Sequence, residues 1–126
     1  MKTVINTSHA PAPIGPYSQA VIAGNLVFVS GQIAMDQASG ELIINNIEAE
    51  TKQVMENIAA ILKQGGIDFS AVVKTTIFLK DMQDFAKVNE VYGAYFKNQF
   101  PARETIQVAG LPRNVNVEIS VTAIKP

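Results

Sequence analysis

The run from Ile47 to Gln64 has helical period, and it stands between two short stretches of β-branched and aliphatic residues. That change of period restricts the chain to folds in which a helix crosses over a sheet. Ile47, Val54, Met55, Ile58, Ile61 and Leu62 fall on one face of the helix. Glu48, Lys52, Gln53, Glu56, Asn57 and Lys63 lie largely opposite. Asn45 or Asn46 is a suitable N-cap, Glu48 is favourable in the first turn, and Gly65-Gly66 ends the helix. The stripe is core packing and implies no cofactor. Leu42-Ile43-Ile44 before it and Val72 to Leu79 after it read as the strands of a βαβ crossover, with the outer strands parallel.

The flanking segments fill in the sheet. Val4-Ile5 starts a short strand, and His9-Ala10-Pro11-Ala12-Pro13 is a stiff connector. Ile14-Gly15-Pro16-Tyr17 is a tight turn that presents Tyr17 either to the core rim or to a pocket. Ser18 to Ala23 and Leu26 to Ser30 flank Gly24-Asn25 as a hairpin. Ser30-Gly31-Gln32 closes the second strand, a feature that admits close approach of a ligand and is also an ordinary strand end. A second helix begins at Asp81 or Asp84, carries Phe85, Val88, Tyr92 and Tyr95 or Phe96 on its apolar side, and ends before Pro101. Asn89 lies beside that stripe, solvated unless a neighbouring subunit covers it. Arg103 to Val108 is the next strand, 109–114 a loop, and Val115 to Ile124 the last strand.

In those two strands Arg103, Thr105 and Gln107 form one polar row, and Asn116, Glu118, Ser120 and Thr122 another. A solvated sheet face and a polar pocket wall explain such rows equally well. The order ββαβαββ gives an α+β fold, one domain over 1–126, with two helices on one face of a mixed sheet. No linker or low-complexity segment interrupts it.

Composition removes several kinds of chemistry. There is no Cys, so no disulfide, thiolate nucleophile or Cys-bound metal. His9 is the only histidine, which excludes a His-based metal cluster. The glycines form no phosphate-binding loop, and no carboxylate couple of glycosidase type stands out. Neither metal nor organic cofactor is expected. A net charge of −1 and scattered basic residues give no footprint for nucleic acid or anionic membrane. No secretory signal or membrane-spanning run is present, so the cytoplasm is the expected compartment. Charged residues make up 17% of the chain, against about 25% typically, so some surface is expected to be hidden between subunits.

Four separated motifs carry a resemblance: Ala12-Pro13-Ile14-Gly15-Pro16-Tyr17-Ser18-Gln19, Ser30-Gly31-Gln32, Phe100-Pro101-Ala102-Arg103 and Val117-Glu118-Ile119. In this order they resemble the RidA (YjgF) family of reactive-intermediate deaminases, over essentially the whole chain. The resemblance implies a chorismate-mutase-like fold and a homotrimer with sites in the clefts between subunits. It implies hydrolysis of 2-imino or 2-enamino acids, such as 2-iminopropanoate and 2-iminobutanoate, to 2-keto acids and ammonia. By the same resemblance Arg103 binds the substrate carboxylate and Glu118 positions the attacking water. Tyr17, Ser30, Gly31 and Asn89 line the pocket, some of them from the adjacent subunit.

The chain departs from the family pattern after the arginine. Glu104-Thr105 replaces a small residue followed by Cys, and Gln107 and Gly110 stand where Glu and Arg are common. Thr105 offers a hydroxyl to substrate in place of the thiol. Glu104 is a second carboxylate near Arg103, and pairing between them would weaken substrate capture. These departures keep a second reading open, a trimer that binds 2-keto acids without turnover. A third, translation-inhibiting ribonuclease, is disfavoured by the acidic balance and the single histidine.

Overall fold

The computed structural model describes all residues, 1–126. Its strands are β1 (Lys2–Ile5), β2 (Ala20–Ala23), β3 (Leu26–Gln32), β4 (Val72–Leu79), β5 (Ala102–Gln107) and β6 (Val117–Ile124). Its helices are α1 (Ile47–Gln64) and α2 (Phe85–Gly93). The six strands form one sheet in the order β1-β2-β3-β6-β4-β5. The β4–β5 pair is parallel and the other neighbours are antiparallel, so the sheet is mixed as the sequence indicates.

Helix α1 begins where expected. The Asn46 side chain accepts from the Ala49 N–H at 2.8 Å, and Glu48 and Glu50 occupy the first turn. Val54, Met55, Ile58, Ile61 and Leu62 are fully buried against Val27, Ile77, Val117 and Ile119 of the sheet. Each such side chain contributes about 1.5–3 kcal/mol on removal from water. Gly24 stands at φ +63 in the β2–β3 turn, the left-handed region that a side chain disfavours.

Several boundaries move. Leu42-Ile43-Ile44 is not a strand. Leu42 makes only an isolated bridge with Met35, because three apolar residues beside a local loop have no sheet edge to join. The strand that enters the crossover is β3. It runs parallel to β4, but β6 lies between them and pairs antiparallel with both. β2 starts at Ala20, β6 starts at Val117, and α2 stops at Gly93. Beyond α2 the chain is held by aromatic packing instead, with Phe96 against Tyr92, Phe69 and Phe100 at centroid distances of 4.9, 5.4 and 6.0 Å.

Asn57 is the clearest reversal. It is 1% exposed, although the sequence reading set it on the polar side of α1. Its amide donates to the carbonyls of Ile33 and Met35 at 3.1 and 3.0 Å, and Gln53 donates to its Oδ1 at 2.8 Å. Those two carbonyls belong to the irregular segment after β3 and have no strand to bond. Replacing Asn57 with Leu strands the Met35 carbonyl and leaves that of Ile33 only the bond from Met35 N–H, and the expected loss is about 2 kcal/mol of stability in denaturant unfolding at fixed protein concentration.

Candidate functional site

Every residue of the sheet faces one of two sides. The side carrying Val27, Val29, Ile77, Val117, Ile119 and Val121 is covered by α1 and α2. The other side carries Val4, Leu26, Phe28, Ile106 and Ile124, each more than a third exposed, and nothing in the chain covers it.

Glu118 belongs to the uncovered side. It pairs with Phe78 of β4, while its neighbours Val117 and Ile119 point into the core. Burial pushes its carboxyl above the usual carboxylate range, and neither a hydrogen bond nor a cation offsets the shift. Gly31 lies directly over it. A Cβ at residue 31 would fall on Oε2 and stand 2.8 Å from Cδ, so only glycine leaves the carboxylate its place. The register of β3 on β6 slips between Val29 and Gln32, which places Ser30 and Gly31 in a bulge. Ser30 donates its hydroxyl to the Ser18 carbonyl at 2.6 Å, and its N–H donates to Gln19 O at 2.9 Å. Tyr17 lines a cleft with Gly31 and a second with Ser30 and Phe28. Tyr17, Ser30, Gly31 and Glu118 therefore form one group.

The loop bearing Tyr17 is fixed by Gln19, which sequence reasoning missed. It is 2% exposed. Its Oε1 accepts from Thr7 N–H at 2.8 Å, and its Nε2 reaches the carbonyls of Thr7, Ala10 and Pro11 at 3.0, 3.3 and 2.9 Å. One side chain thus holds the Pro-rich connector closed. Its only signal is a polar residue directly before a buried Ala at the start of a strand.

Arg103 belongs to the helix side. It pairs with buried Thr75, at the edge of the sheet and beyond the reach of α1. Its guanidinium lies 5.2 Å from the Tyr92 ring centroid and 5.7 Å from that of Phe85. These two α2 rings, two turns apart on the apolar side where the sequence sets them, form a shelf for the cation, Tyr92 from within the core and Phe85 from its exposed rim. The Tyr92 hydroxyl donates to Thr75 Oγ1 at 2.9 Å, and burial pushes its pKa up against that bond and the arginine's charge. Asn89, Tyr92, Phe100, Pro101 and Arg103 line one cavity. Thr105 is on the same side, and its Oγ1 is enclosed without a hydrogen-bond partner.

Glu104 does not compete for the arginine. It faces the uncovered side, 3.1 Å from Lys74 Nζ, and accepts from Thr76 Oγ1 at 2.7 Å. Strand alternation, which turns residue 104 away from residue 103, settles the matter. Those two partners hold its carboxyl below the usual range, the Thr76 bond foremost.

The seven predicted site residues thus separate into two groups. Tyr17, Ser30, Gly31 and Glu118 gather on the uncovered side; Arg103, Thr105 and Asn89 gather at the sheet edge on the helix side. Within one chain the two charges do not converge. They are two strands apart, about 10 Å across the sheet, and point in opposite directions. No three His, Asp or Glu side chains come together, and no helix is long and apolar enough to cross a membrane.

The chain matches the family model described as endoribonuclease L-PSP over residues 7–125, and it belongs to that family. It is 51% identical to a RutC family protein of Pyrococcus horikoshii over 99% of both chains. It is 49% identical to the human 2-iminobutanoate/2-iminopropanoate deaminase, over 99% of this chain and 91% of that one. Among solved structures, Escherichia coli TdcF with bound serine superposes with a TM-score of 0.94 at 37% identity, over 98% of this chain and 99% of that one. The RidA (YjgF) resemblance and the α+β fold it implies are borne out.

Two outcomes follow from this geometry. Gly31→Ala pushes the Glu118 carboxylate aside, so the expected result is loss of whatever activity depends on Glu118, with the fold intact by circular dichroism. Glu118→Gln acts on stability with a definite sign. A carboxyl raised by burial binds more protons folded than unfolded, so its contribution falls as pH rises from the ordinary carboxylate range through the raised value. Glu118→Gln removes that fall. The variant is expected to melt higher than wild type at neutral pH, and the difference to vanish in acid.

Proposed function

We propose that this member of the endoribonuclease L-PSP family is a hydrolytic deaminase of 2-imino acids, acting in clefts between the subunits of a homotrimer. The observation that carries the reading is the pair of unmatched charges on opposite sides of one sheet. Arg103 has no carboxylate within the chain and Glu118 has no cation. Each group is half of a site, and an adjacent copy can supply the other half. The exposed apolar residues of the uncovered side support assembly, since a lone soluble chain gains nothing from displaying Phe28, Ile106 and Ile124 together. The deaminase named among the relatives near 49% identity supports the chemistry, and the serine held by TdcF supports a small carboxylate-bearing ligand.

The steps follow from the groups. Arg103, held over Phe85 and Tyr92, offers the substrate carboxylate two parallel hydrogen bonds and so fixes the position of C2. The partner subunit contributes Glu118, whose raised proton affinity suits it to take a proton from water. The water oxygen bonds to C2, the C=N π pair moves to nitrogen, and a tetrahedral amino alcohol forms. Glu118 returns that proton to nitrogen and completes the amino alcohol. The hydroxyl proton then passes through Glu118 to the amine as the oxygen lone pair forms C=O, the C–N bond breaks, and the 2-keto acid and ammonia leave. Ser30, the Gly31 backbone and Tyr17 line the water side, while Asn89 lines the cavity of Arg103, and the enclosed Thr105 hydroxyl lies behind it on the same side of the sheet. General-base help of this kind is worth about 10²–10⁴-fold. The family description as an endoribonuclease points to RNA cleavage, but the geometry adds no support to it: His9 lines a polar groove beside α1 that contains none of these residues.

The test is subunit complementation. Arg103→Ala and Glu118→Gln are each expected to lower kcat/KM for freshly generated 2-iminopropanoate by about 10²-fold or more. Denatured together in equal amounts and refolded, they give mixed trimers that each contain one intact cleft. Recovery of about a quarter of wild-type activity is expected if subunits mix at random. No recovery, with mixed trimers present by mass spectrometry, rejects a shared site. Wild type that binds 2-ketobutyrate but leaves imine decay at the buffer rate rejects the enzyme in favour of a binding protein.

A further inference from the structure

Neither half of the proposed site uses the chain's most deeply buried carboxylate. Glu50, in the first turn of α1, is 0% exposed and pairs with no Lys or Arg. Its Oε2 accepts from the backbone N–H of Asn116 at 2.7 Å and of Val117 at 3.1 Å. Its Oε1 accepts from Asn116 Nδ2 at 2.8 Å. All three donors lie in the two residues immediately before Glu118.

The sheet leaves this spot open. The pairing of β3 with β6 reaches only to Gln32 and Ile119, so Val117 has no partner strand on that side. On the other side the last β4 pair is Leu79 with Val117, and Lys80 N–H donates to Asn116 O at 3.0 Å. Residue 116 is consequently gripped through its N–H, its carbonyl and its side chain. A buried carboxylate is costly unless it is fully hydrogen-bonded, and here three donors and the positive end of α1 offset the cost.

We infer that Glu50 is a positioning residue for Glu118: its carboxylate pins the peptide planes at Asn116 and Val117 and so sets the register and direction in which Glu118 leaves the uncovered side of the sheet. A slip of one residue would turn Glu118 into the core and Val117 out of it. A smaller tilt would move the carboxylate off the Gly31 gap that receives it. Arg103, on β5 and the opposite side, is not under this control. Glu50 therefore governs the water-activating half of the site and leaves the carboxylate-binding half alone. The inference rests on the deaminase reading.

The test compares wild type with Glu50→Asp, Glu50→Gln and Asn116→Ala, measuring kcat for 2-iminopropanoate and, on the same preparations, the Kd for 2-ketobutyrate. Asp is one methylene too short to reach both backbone N–H groups. It is expected to lower kcat by about 10–10²-fold, as misplacement on the order of 1 Å does, with Kd and oligomeric state unchanged. Gln is expected to restore near-wild-type kcat. Its amide oxygen takes both backbone N–H groups, and its nitrogen donates to Asn116 once that side-chain amide turns over. Asn116→Ala removes one bond of three and gives a smaller fall of the same kind, which carries the test if Glu50→Asp does not fold. Wild-type kcat in folded Glu50→Asp and Asn116→Ala overturns the inference, and so does a parallel loss of kcat and 2-ketobutyrate affinity. Wild type without turnover is a different pattern and removes the deaminase reading along with it.

Discussion

A sheet has two faces, and this chain has helices for only one of them. Helices α1 and α2 pack on the side of Ile77, Val117 and Ile119 and bury it completely. Nothing remains to cover Val4, Phe28, Ile106 and Ile124. The strand alternation that seals the core also sends Glu118 outward between Val117 and Ile119 and turns Arg103 toward α2. The division of the proposed site into two halves is thus a consequence of strand geometry and needs no special device.

That division has an electrostatic consequence. A guanidinium and a carboxylate within reach on the same face would pair, and each would be lost to a ligand. Separation by the sheet keeps both free inside the chain. Arg103 is held by the rings of Tyr92 and Phe85, which orient a cation without neutralising it. Glu118 is held by desolvation and by the fit of Gly31, which raise its proton affinity and give it no counter-charge. Glu104, the one carboxylate beside Arg103 in sequence, is occupied by Lys74 and Thr76 on the far side. The substitution that departs most from the family pattern is electrostatically self-contained.

Much of the fold was legible because it depends on period. The bounds of α1 and β4, the Gly24-Asn25 turn and the helix side of the sheet all follow from spacing and capping chemistry. What period could not reveal is which side of a sheet a polar row occupies. The rows on β5 and β6 look alike in sequence, yet they face opposite ways, because the parallel register with β4 fixes one and the antiparallel register fixes the other. Leu42-Ile43-Ile44 has strand composition without a strand partner. Buried polar residues were the other blind spot. Asn57 and Glu50 both fall at helical spacing with Val54 and Ile61, which was the available signal, but polarity alone sent Asn57 outward.

Those hidden polar residues share a physical logic. Gln19, Asn57 and Glu50 each answer backbone groups that the sheet leaves unpaired: the connector at 7–11, the carbonyls of Ile33 and Met35, and the N–H groups of Asn116 and Val117. The segment held by Gln19 leads to Tyr17, those held by Asn57 follow Gly31, and those held by Glu50 precede Glu118. An irregular backbone next to a site is costly unless its polar groups are satisfied. A buried amide or carboxylate can satisfy two or three of them at once and at a fixed distance. The irregular parts of the fold, where spacing says least, are therefore tied to its regular frame by single side chains, and each of these ties leads into the half of the proposed site that faces outward.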